Sequence, residues 1–151
     1  MEAIPYCEAV VAVKPADAHA HFTLGWACQA AKRPEEALAY YKEAVRLAPD
    51  SPQCLNALAW IYATSAKAAI RNGAEAVRLA EQAAQITQRQ NTQLLDTLAA
   101  AYAEAGRFDE AVKTTEEIRA QAISTHDTGM AETARQRLEL YQAGKPYRDE
   151  Q

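Results

Sequence analysis

The segment ALAYYKEAVRLAP, residues 37–49, decides the fold, because residues 3–15, AIPYCEAVVAVKP, repeat its arrangement of small and apolar residues closed by a proline. Three pairs of matching positions are each 34 residues apart: Ala3 and Ala37, Cys7 and Tyr41, Pro15 and Pro49. Shorter versions of the pattern follow at Ala76, Ala80 and Ala83, and at Ala111, Thr115 and Ile118. A fixed period of this size is typical of a helical solenoid, in which helical hairpins stack side by side. The sequence therefore predicts an all-α chain built to hold another molecule.

The segments between these anchors carry apolar or small residues at spacings of three, one and three. The sets are His21, Leu24, Gly25 and Cys28; Leu55, Leu58, Ala59 and Tyr62; Leu95, Leu98, Ala99 and Tyr102. Such spacings place all four side chains of a set on one stripe of an α-helix. The small third member of each set lets a second helix approach closely, and Ala37, Ala76 or Ala111 is expected to meet it. The pattern thus predicts antiparallel helix pairs.

These residues resemble the tetratricopeptide repeats, and the resemblance spans roughly residues 2–123. The matching positions are Leu24, Gly25, Ala37, Tyr41, Ala44, Pro49, Leu98, Ala99, Tyr102, the turn 105–108 and Ala111. The resemblance implies a right-handed α-α superhelix. Residues 55–60, 71–77 and 95–102 are also similar to a bacterial subgroup whose last repeats close a longer protein. Members of that subgroup share a scaffold rather than a ligand.

We interpret residues 1–151 as one domain. It comprises a partial repeat with only its second helix (2–15), full repeats at 18–51, 52–90 and 92–123, a capping helix at 127–144 and a loosely held tail at 145–151. Because natural solenoids seldom begin with half a hairpin, we expect the chain to be a fragment of a larger protein. The middle repeat carries five extra residues within 64–73, counted from the distance between Tyr62 and Ala76. That segment has no proline, so the preceding helix is free to continue.

Composition and charge exclude several classes of function. A formal charge of −4 without clustered Lys and Arg argues against nucleic-acid binding. No uncharged apolar run approaches the length of a membrane span. Residues 1–20 do not match a signal peptide, because Pro5, Glu8, Lys14 and Asp17 interrupt the apolar core that one requires. The compartment is left undetermined, with the cytoplasm as the default.

The sequence predicts no catalytic residues, no metal and no cofactor. His19 and His21 point to nearly opposite sides of a helix, so they are poorly placed to share a metal. The three cysteines include no C-x-x-C pair, and Cys7 and Cys28 fall at packing positions. No G-x-G-x-x-G, G-x-S-x-G or H-E-x-x-H sequence occurs. We therefore expect a protein that is not an enzyme.

In the resembled fold, one stripe of each first helix lines the concave groove, and we predict that a peptide binds there. The predicted groove residues are His19, Phe22, Trp26, Gln29, Asn56, Trp60, Thr64, Asp96 and Glu104. Tryptophans are frequent anchors of protein interfaces, and an asparagine amide can pair with a peptide backbone as donor and acceptor. Asp96 and Glu104 suggest a basic group in the partner. The competing interpretation is structural, with Trp60 packing over the loop after Thr64 and Trp26 filling space between helices.

The leading functional hypothesis is a non-enzymatic scaffold that binds a peptide segment of a protein partner. Two alternatives stay open at this point. In one, the repeats are an accessory arm that recruits substrate for an upstream enzyme such as a glycosyltransferase. In the other, chains associate with one another through the truncated N-terminal helix, making a homo-oligomer.

Overall fold

The computed structural model describes the backbone of residues 3–149 and the side chains of residues 4–149. Within that range every regular element is a helix. The helices are α1 (Ala3–Val13), α2 (Ala18–Ala30), α3 (Pro34–Leu47), α4 (Pro52–Thr64), α5 (Gly73–Ile86), α6 (Thr92–Glu104), α7 (Phe108–Ser124) and α8 (Thr128–Gln142). None of these helices is both long and apolar enough to span a membrane.

The helices stack in sequence order, each packing against the one before it. Helices two apart also pack where α4 meets α6 and where α6 meets α8. Together these contacts form a solenoid of antiparallel helix pairs, so the fold class predicted from the sequence is confirmed. Close packing of this kind is missing between α2 and α4. The stack therefore opens at that point.

Short polar side chains set the helix starts. The Asp17 carboxylate accepts hydrogen bonds from the backbone N–H groups of His19 and Ala20, at 2.9 and 3.1 Å. These bonds satisfy donors that the first turn of a helix leaves without partners. Ser51 caps α4 with Pro52 at its first position. The other side-chain caps are Asn72, Asn91 and Asp127.

Small residues let the paired helices approach closely. A Cβ atom built on Gly25 of α2 would lie 2.6 Å from two ring carbons of Tyr41 on α3, a distance that real Cβ contacts do not show. Tyr41 is itself buried, so its ring has little room to move. The ring of Tyr41 supplies the three atoms nearest to this position, and Ala37, which was predicted from the sequence to meet it, is also fully buried. Fully buried alanines fill the corresponding places of the later pairs: Ala59, Ala76, Ala99 and Ala111.

The segment between α4 and α5, whose conformation the sequence left open, does not prolong α4. The helix ends at Thr64, and residues 65–72 form a compact turn. Ile70 is buried in the core, and the N–H of Asn72 donates to the carbonyl oxygen of Tyr62 at 2.9 Å. The Arg71 guanidinium donates to the carbonyl oxygens of Ser65 and Ala66. Burial of Ile70 and these hydrogen bonds stabilise the turn in place of the backbone hydrogen bonds that a longer helix would make.

The C-terminal tail differs from what we predicted from the sequence. The sequence analysis treated residues 145–151 as loosely held; residues 150 and 151 lie outside the described range, but Tyr147, Arg148 and Asp149 pack against the solenoid. Gly144, with a φ of 67°, ends α8 in the left-handed conformation that glycine adopts without strain. The chain then turns back, and the N–H of Asp149 donates to the carbonyl oxygen of Thr64 at 2.8 Å.

Candidate functional site

An open cleft of about 830 Å³ lies where α2 and α4 stand apart. We call it the α2–α4 cleft. It is bounded by Phe22, Trp26 and Gln29 from α2, Gln53, Asn56 and Trp60 from α4, Gln93 from α6, and Tyr147 and Asp149 from the tail. Apolar rings and side-chain amides therefore share this surface. Among the lining residues the single ionisable carboxylate is that of Asp149.

Five of the nine residues predicted from the sequence line this cleft: Phe22, Trp26, Gln29, Asn56 and Trp60. His19 does not reach it, although its ring stacks on that of Phe22 with centroids 6.3 Å apart. Thr64 is buried, and its hydroxyl donates to the carbonyl oxygen of Trp60 at 2.8 Å. Asp96 and Glu104 lie farther along the solenoid, under the tail. Of the predicted residues, the structure thus brings together Phe22, Trp26 and Gln29 of α2 with Asn56 and Trp60 of α4.

The two tryptophans have different surroundings. Trp26 is 63% exposed at the mouth of the cleft. Trp60 is partly buried, with its ring centroid 5.7 Å from that of Tyr147, and its indole N–H donates to the Asp149 carboxylate at 3.2 Å. The sequence analysis left open a packing role for Trp60 over the loop after Thr64. Its partner is instead the C-terminal tail.

Side-chain amides supply the hydrogen-bonding groups of the cleft. Gln29 accepts a hydrogen bond from the buried Tyr41 hydroxyl at 2.8 Å, which orients its amide. The Oδ1 atom of Asn56 is buried and has no hydrogen-bond partner among the described residues. An unpaired buried polar atom is costly. A donor entering the cleft would therefore improve the hydrogen bonding of Asn56.

Asp96 and Glu104, the acidic residues predicted for the groove, already pair with arginines of the same chain. Asp96 is 14% exposed and forms an ion pair with Arg137 of α8, with 3.4 Å between Oδ1 and Nε. Burial raises the pKa of Asp96, and Arg137 opposes that rise. Glu104 lies 3.1 Å from Arg71 and 2.5 Å from Arg148. The basic groups that we expected from a partner are thus supplied by the chain itself.

The part of the solenoid under the tail forms a second site, which we call the tail subsite. Its residues are Trp60, Thr64, Asp96, Glu104 and Arg137. The central carbon of the Arg137 guanidinium lies over the ring of Tyr147, 3.3 Å from the ring centroid. This distance is typical of a cation–π contact. The subsite is therefore filled by aromatic, basic and acidic side chains of one short segment.

Comparison with known proteins agrees with this architecture. Residues 1–52 match the family profile described as tetratricopeptide repeat. Over these residues the chain is similar to the tetratricopeptide-repeat family. No curated protein sequence matches the chain.

Solved structures extend the likeness in fold beyond residue 52. A crystal structure of MamA superposes with a TM-score of 0.65 at 15% identity, covering 93% of this chain and 85% of MamA. A structure titled MamA MSR-1 superposes with a TM-score of 0.56 at 21% identity, covering 85% of this chain and 76% of its own. At such identities the likeness establishes the fold alone.

The contacts of the tail residues were not predicted from the sequence. Tyr147, Arg148 and Asp149 follow a helix-ending glycine and a proline, which is why we assigned them to a loose tail. An aromatic, an arginine and an aspartate in succession were the one available indication of specific contacts. Arg137 of α8 was not predicted as a site residue, and it is only 13% exposed between Asp96 and Tyr147. Its role depends on where the tail returns.

Proposed function

We propose that this chain is a protein-interaction scaffold that holds a peptide segment of a partner in the α2–α4 cleft. The observation that carries the proposal is the separation of α2 from α4, which leaves an opening of about 830 Å³ beside a largely exposed Trp26. Tetratricopeptide repeats generally serve as protein-interaction scaffolds, and that role agrees with the repeats found here.

The lining of the cleft favours an apolar side chain as the anchor of the partner. Phe22 and Trp26 offer ring surface that water now covers in part, and large aromatic residues often dominate interface energies. Gln53, Asn56 and Gln93 surround this surface with amides that can donate to and accept from a peptide backbone. Because no lysine or arginine lines the cleft, we infer a neutral or basic segment rather than an acidic one.

A random peptide library displayed on phage tests the proposal, because it samples many short segments at once. The library is panned against the full chain, and enriched peptides are synthesised and titrated by isothermal calorimetry. Replacing a true anchor, Trp26→Ala, is expected to weaken binding by about 2 kcal/mol, or roughly 30-fold. Ile123→Ala is the matched control, because Ile123 is an exposed apolar residue of α7 that does not line the cleft.

The library experiment has two outcomes against the proposal. The first is that no peptide is enriched over a non-specific background. The second is that enriched peptides bind the Trp26→Ala and Ile123→Ala variants with equal affinity. Circular dichroism of both variants shows whether the helices are retained.

A second candidate function is association between copies of the chain, favoured by the exposed apolar side chains of α1. Tyr6 and Val13 are 73% and 78% exposed. Sedimentation velocity over a concentration series is expected to show association that Tyr6→Ser and Val13→Ser together reduce. A native chain that stays monomeric at high concentration would exclude this function.

A further inference from the structure

The tail makes a backbone contact of the kind that a separate peptide can make. Asp149 pairs in parallel with Ser65, and its N–H donates to the carbonyl oxygen of Thr64 at 2.8 Å. Thr64 is the last residue of α4, and the final carbonyls of a helix have no partner within the helix. The end of α4 therefore offers an acceptor to any extended segment that lies beside it.

The ring of Tyr147 lies between Trp60 of α4 and Arg137 of α8. The Trp60 ring lies beside it, and the Arg137 guanidinium covers its ring. Arg137 is held in turn by Asp96 on α6. Because Asp96 and Arg137 belong to α6 and α8, this position is built by the solenoid and not by the tail.

The next two residues of the tail meet groups of complementary charge or hydrogen-bonding type. Arg148 lies 2.5 Å from the carboxylate of Glu104, which Arg71 also contacts from the turn after α4. Asp149 accepts the indole N–H of Trp60. The tail subsite thus distinguishes three successive side chains: an aromatic, a basic and an acidic one.

We propose that the tail subsite is a recognition site for an extended aromatic–arginine–aspartate segment, which the chain's own tail occupies in cis and a partner protein with the same order of side chains occupies in trans. This inference rests on the proposed function, since the subsite adjoins the α2–α4 cleft. Tyr147 and Asp149 border both sites. A partner segment that fills the cleft and displaces the tail gains a continuous surface from Trp26 to Glu104.

The tail competes strongly with an external peptide for the tail subsite, because it is covalently linked to the solenoid. A short flexible link, here residues 144–146, gives effective concentrations in about the millimolar range. If the free segment has a Kd of about 100 μM, such a tether weakens an external peptide roughly tenfold or more. Disabling the tail while leaving the subsite intact is therefore expected to reveal the site.

The experiment uses a labelled peptide with the sequence of residues 145–149, KPYRD, and fluorescence anisotropy. The full-length Tyr147→Ala/Arg148→Ala variant is expected to bind it at least tenfold more tightly than the native chain. A peptide with the arginine replaced by alanine, KPYAD, is the control and is expected to lose most of this binding. Failure of the variant to bind KPYRD, or equal binding of KPYRD and KPYAD, overturns the proposal.

A second measurement needs no substitution, in case the variant folds poorly. Excess unlabelled KPYRD added to the native chain is expected to speed hydrogen exchange of the Asp149 amide, because the displaced tail loses its bond to Thr64. Unchanged exchange at saturating peptide overturns the proposal. A native dimer that KPYRD converts to monomers would assign the subsite to the tail of a second copy and also overturn it.

Different experimental results would refute peptide binding in the α2–α4 cleft and recognition by the tail subsite. If library peptides depend on Trp26 but KPYRD does not bind the variant, the tail subsite is refuted and the proposed function stands. If KPYRD binds the variant as expected but no library peptide depends on Trp26, peptide binding in the α2–α4 cleft is refuted. In that case the tail subsite alone is the peptide site.

Discussion

The indole N–H of Trp60 donates a hydrogen bond to the Asp149 carboxylate at 3.2 Å, joining residues 89 positions apart in the sequence. This bond gives the two tryptophans of the solenoid different roles. Trp60 binds the tail, whereas Trp26, one repeat earlier, is largely exposed to solvent. The bond also places a carboxylate at the border between the α2–α4 cleft and the tail subsite.

Replacing Trp60 with phenylalanine tests the contribution of this bond to tail docking. Trp60→Phe keeps a ring beside Tyr147 but removes the donor, which is expected to destabilise the docked tail by about 1–2 kcal/mol. The Asp149 amide should then exchange hydrogen roughly 5–30 times faster, as measured by mass spectrometry or NMR. Trp26→Phe is the control and should leave this exchange rate unchanged. Equal rates in both variants would mean that the indole bond does not hold the tail.

The contact between Gly25 and Tyr41 predicts a loss of stability on adding one methyl group. Gly25→Ala places a Cβ 2.6 Å from the buried ring of Tyr41, so the free energy of unfolding should fall by about 1–3 kcal/mol. Gly129→Ala is the matched control in α8, where the nearest contact to the added Cβ is an ordinary 3.6 Å. Since alanine favours helix over glycine, Gly129→Ala should be neutral or stabilising by up to about 1 kcal/mol. Urea unfolding of both variants decides whether the close approach matters.

The pairing of Glu104 with Arg71 and Arg148 predicts a cost for removing one charge. Glu104→Gln leaves both guanidinium groups without their carboxylate, and at 14% exposure water screens the change only in part. We expect the free energy of unfolding to fall by about 1–3 kcal/mol in urea titrations. Glu35→Gln breaks the exposed pair with Lys67 and should leave the unfolding midpoint nearly unchanged. A similar small effect in both variants would contradict a structural role for Glu104.

Buried tyrosines predict a loss of stability at alkaline pH. Burial raises the pKa of Tyr141, and the nearby Asp96 raises it further. Burial, followed by the hydrogen bond to Glu81, raises the pKa of Tyr102 to about 12. The unfolded chain ionises its tyrosines near pH 10. The stability they contribute is therefore fully present below about pH 10 and is lost as the pH rises through the folded pKa values.

Tyr141→Phe separates this titration from the packing of the ring. The Tyr141 hydroxyl has no hydrogen-bond partner among the residues that the structure describes. Its removal should leave stability at pH 7 unchanged or raise it by up to about 1 kcal/mol, and should make the decline above pH 10 shallower. Tyr41→Phe loses the bond to Gln29 and should cost about 1 kcal/mol at pH 7. Thermal unfolding from pH 7 to 11 measures both effects.

The sequence was sufficient to predict the helices and five residues of the candidate site. Phe22, Trp26, Gln29, Asn56 and Trp60 were predicted from the resembled fold, in which one stripe of each first helix lines the groove, and all five line the α2–α4 cleft. Helical spacing fixes which face of a helix a side chain occupies, but not which neighbouring helix lies opposite. His19, Thr64, Asp96 and Glu104 were predicted for the same groove by the same reasoning. In the structure His19 stays outside the cleft and Thr64 is buried. Asp96 and Glu104 pair with Arg137 and Arg148 under the tail.

The sequence by itself determined that this chain is a stack of helix pairs, because small residues at helical spacing and polar caps act within a few turns of the chain. Only the tertiary structure decided that α2 and α4 stand apart and that the tail fills the surface beyond them. Those features depend on contacts such as Trp60 with Asp149 and Arg137 with Tyr147, which bring together α4, α8 and the tail. Contacts of this range leave no periodic pattern in the sequence, since each is a single pairing whose partners meet only after the solenoid has formed.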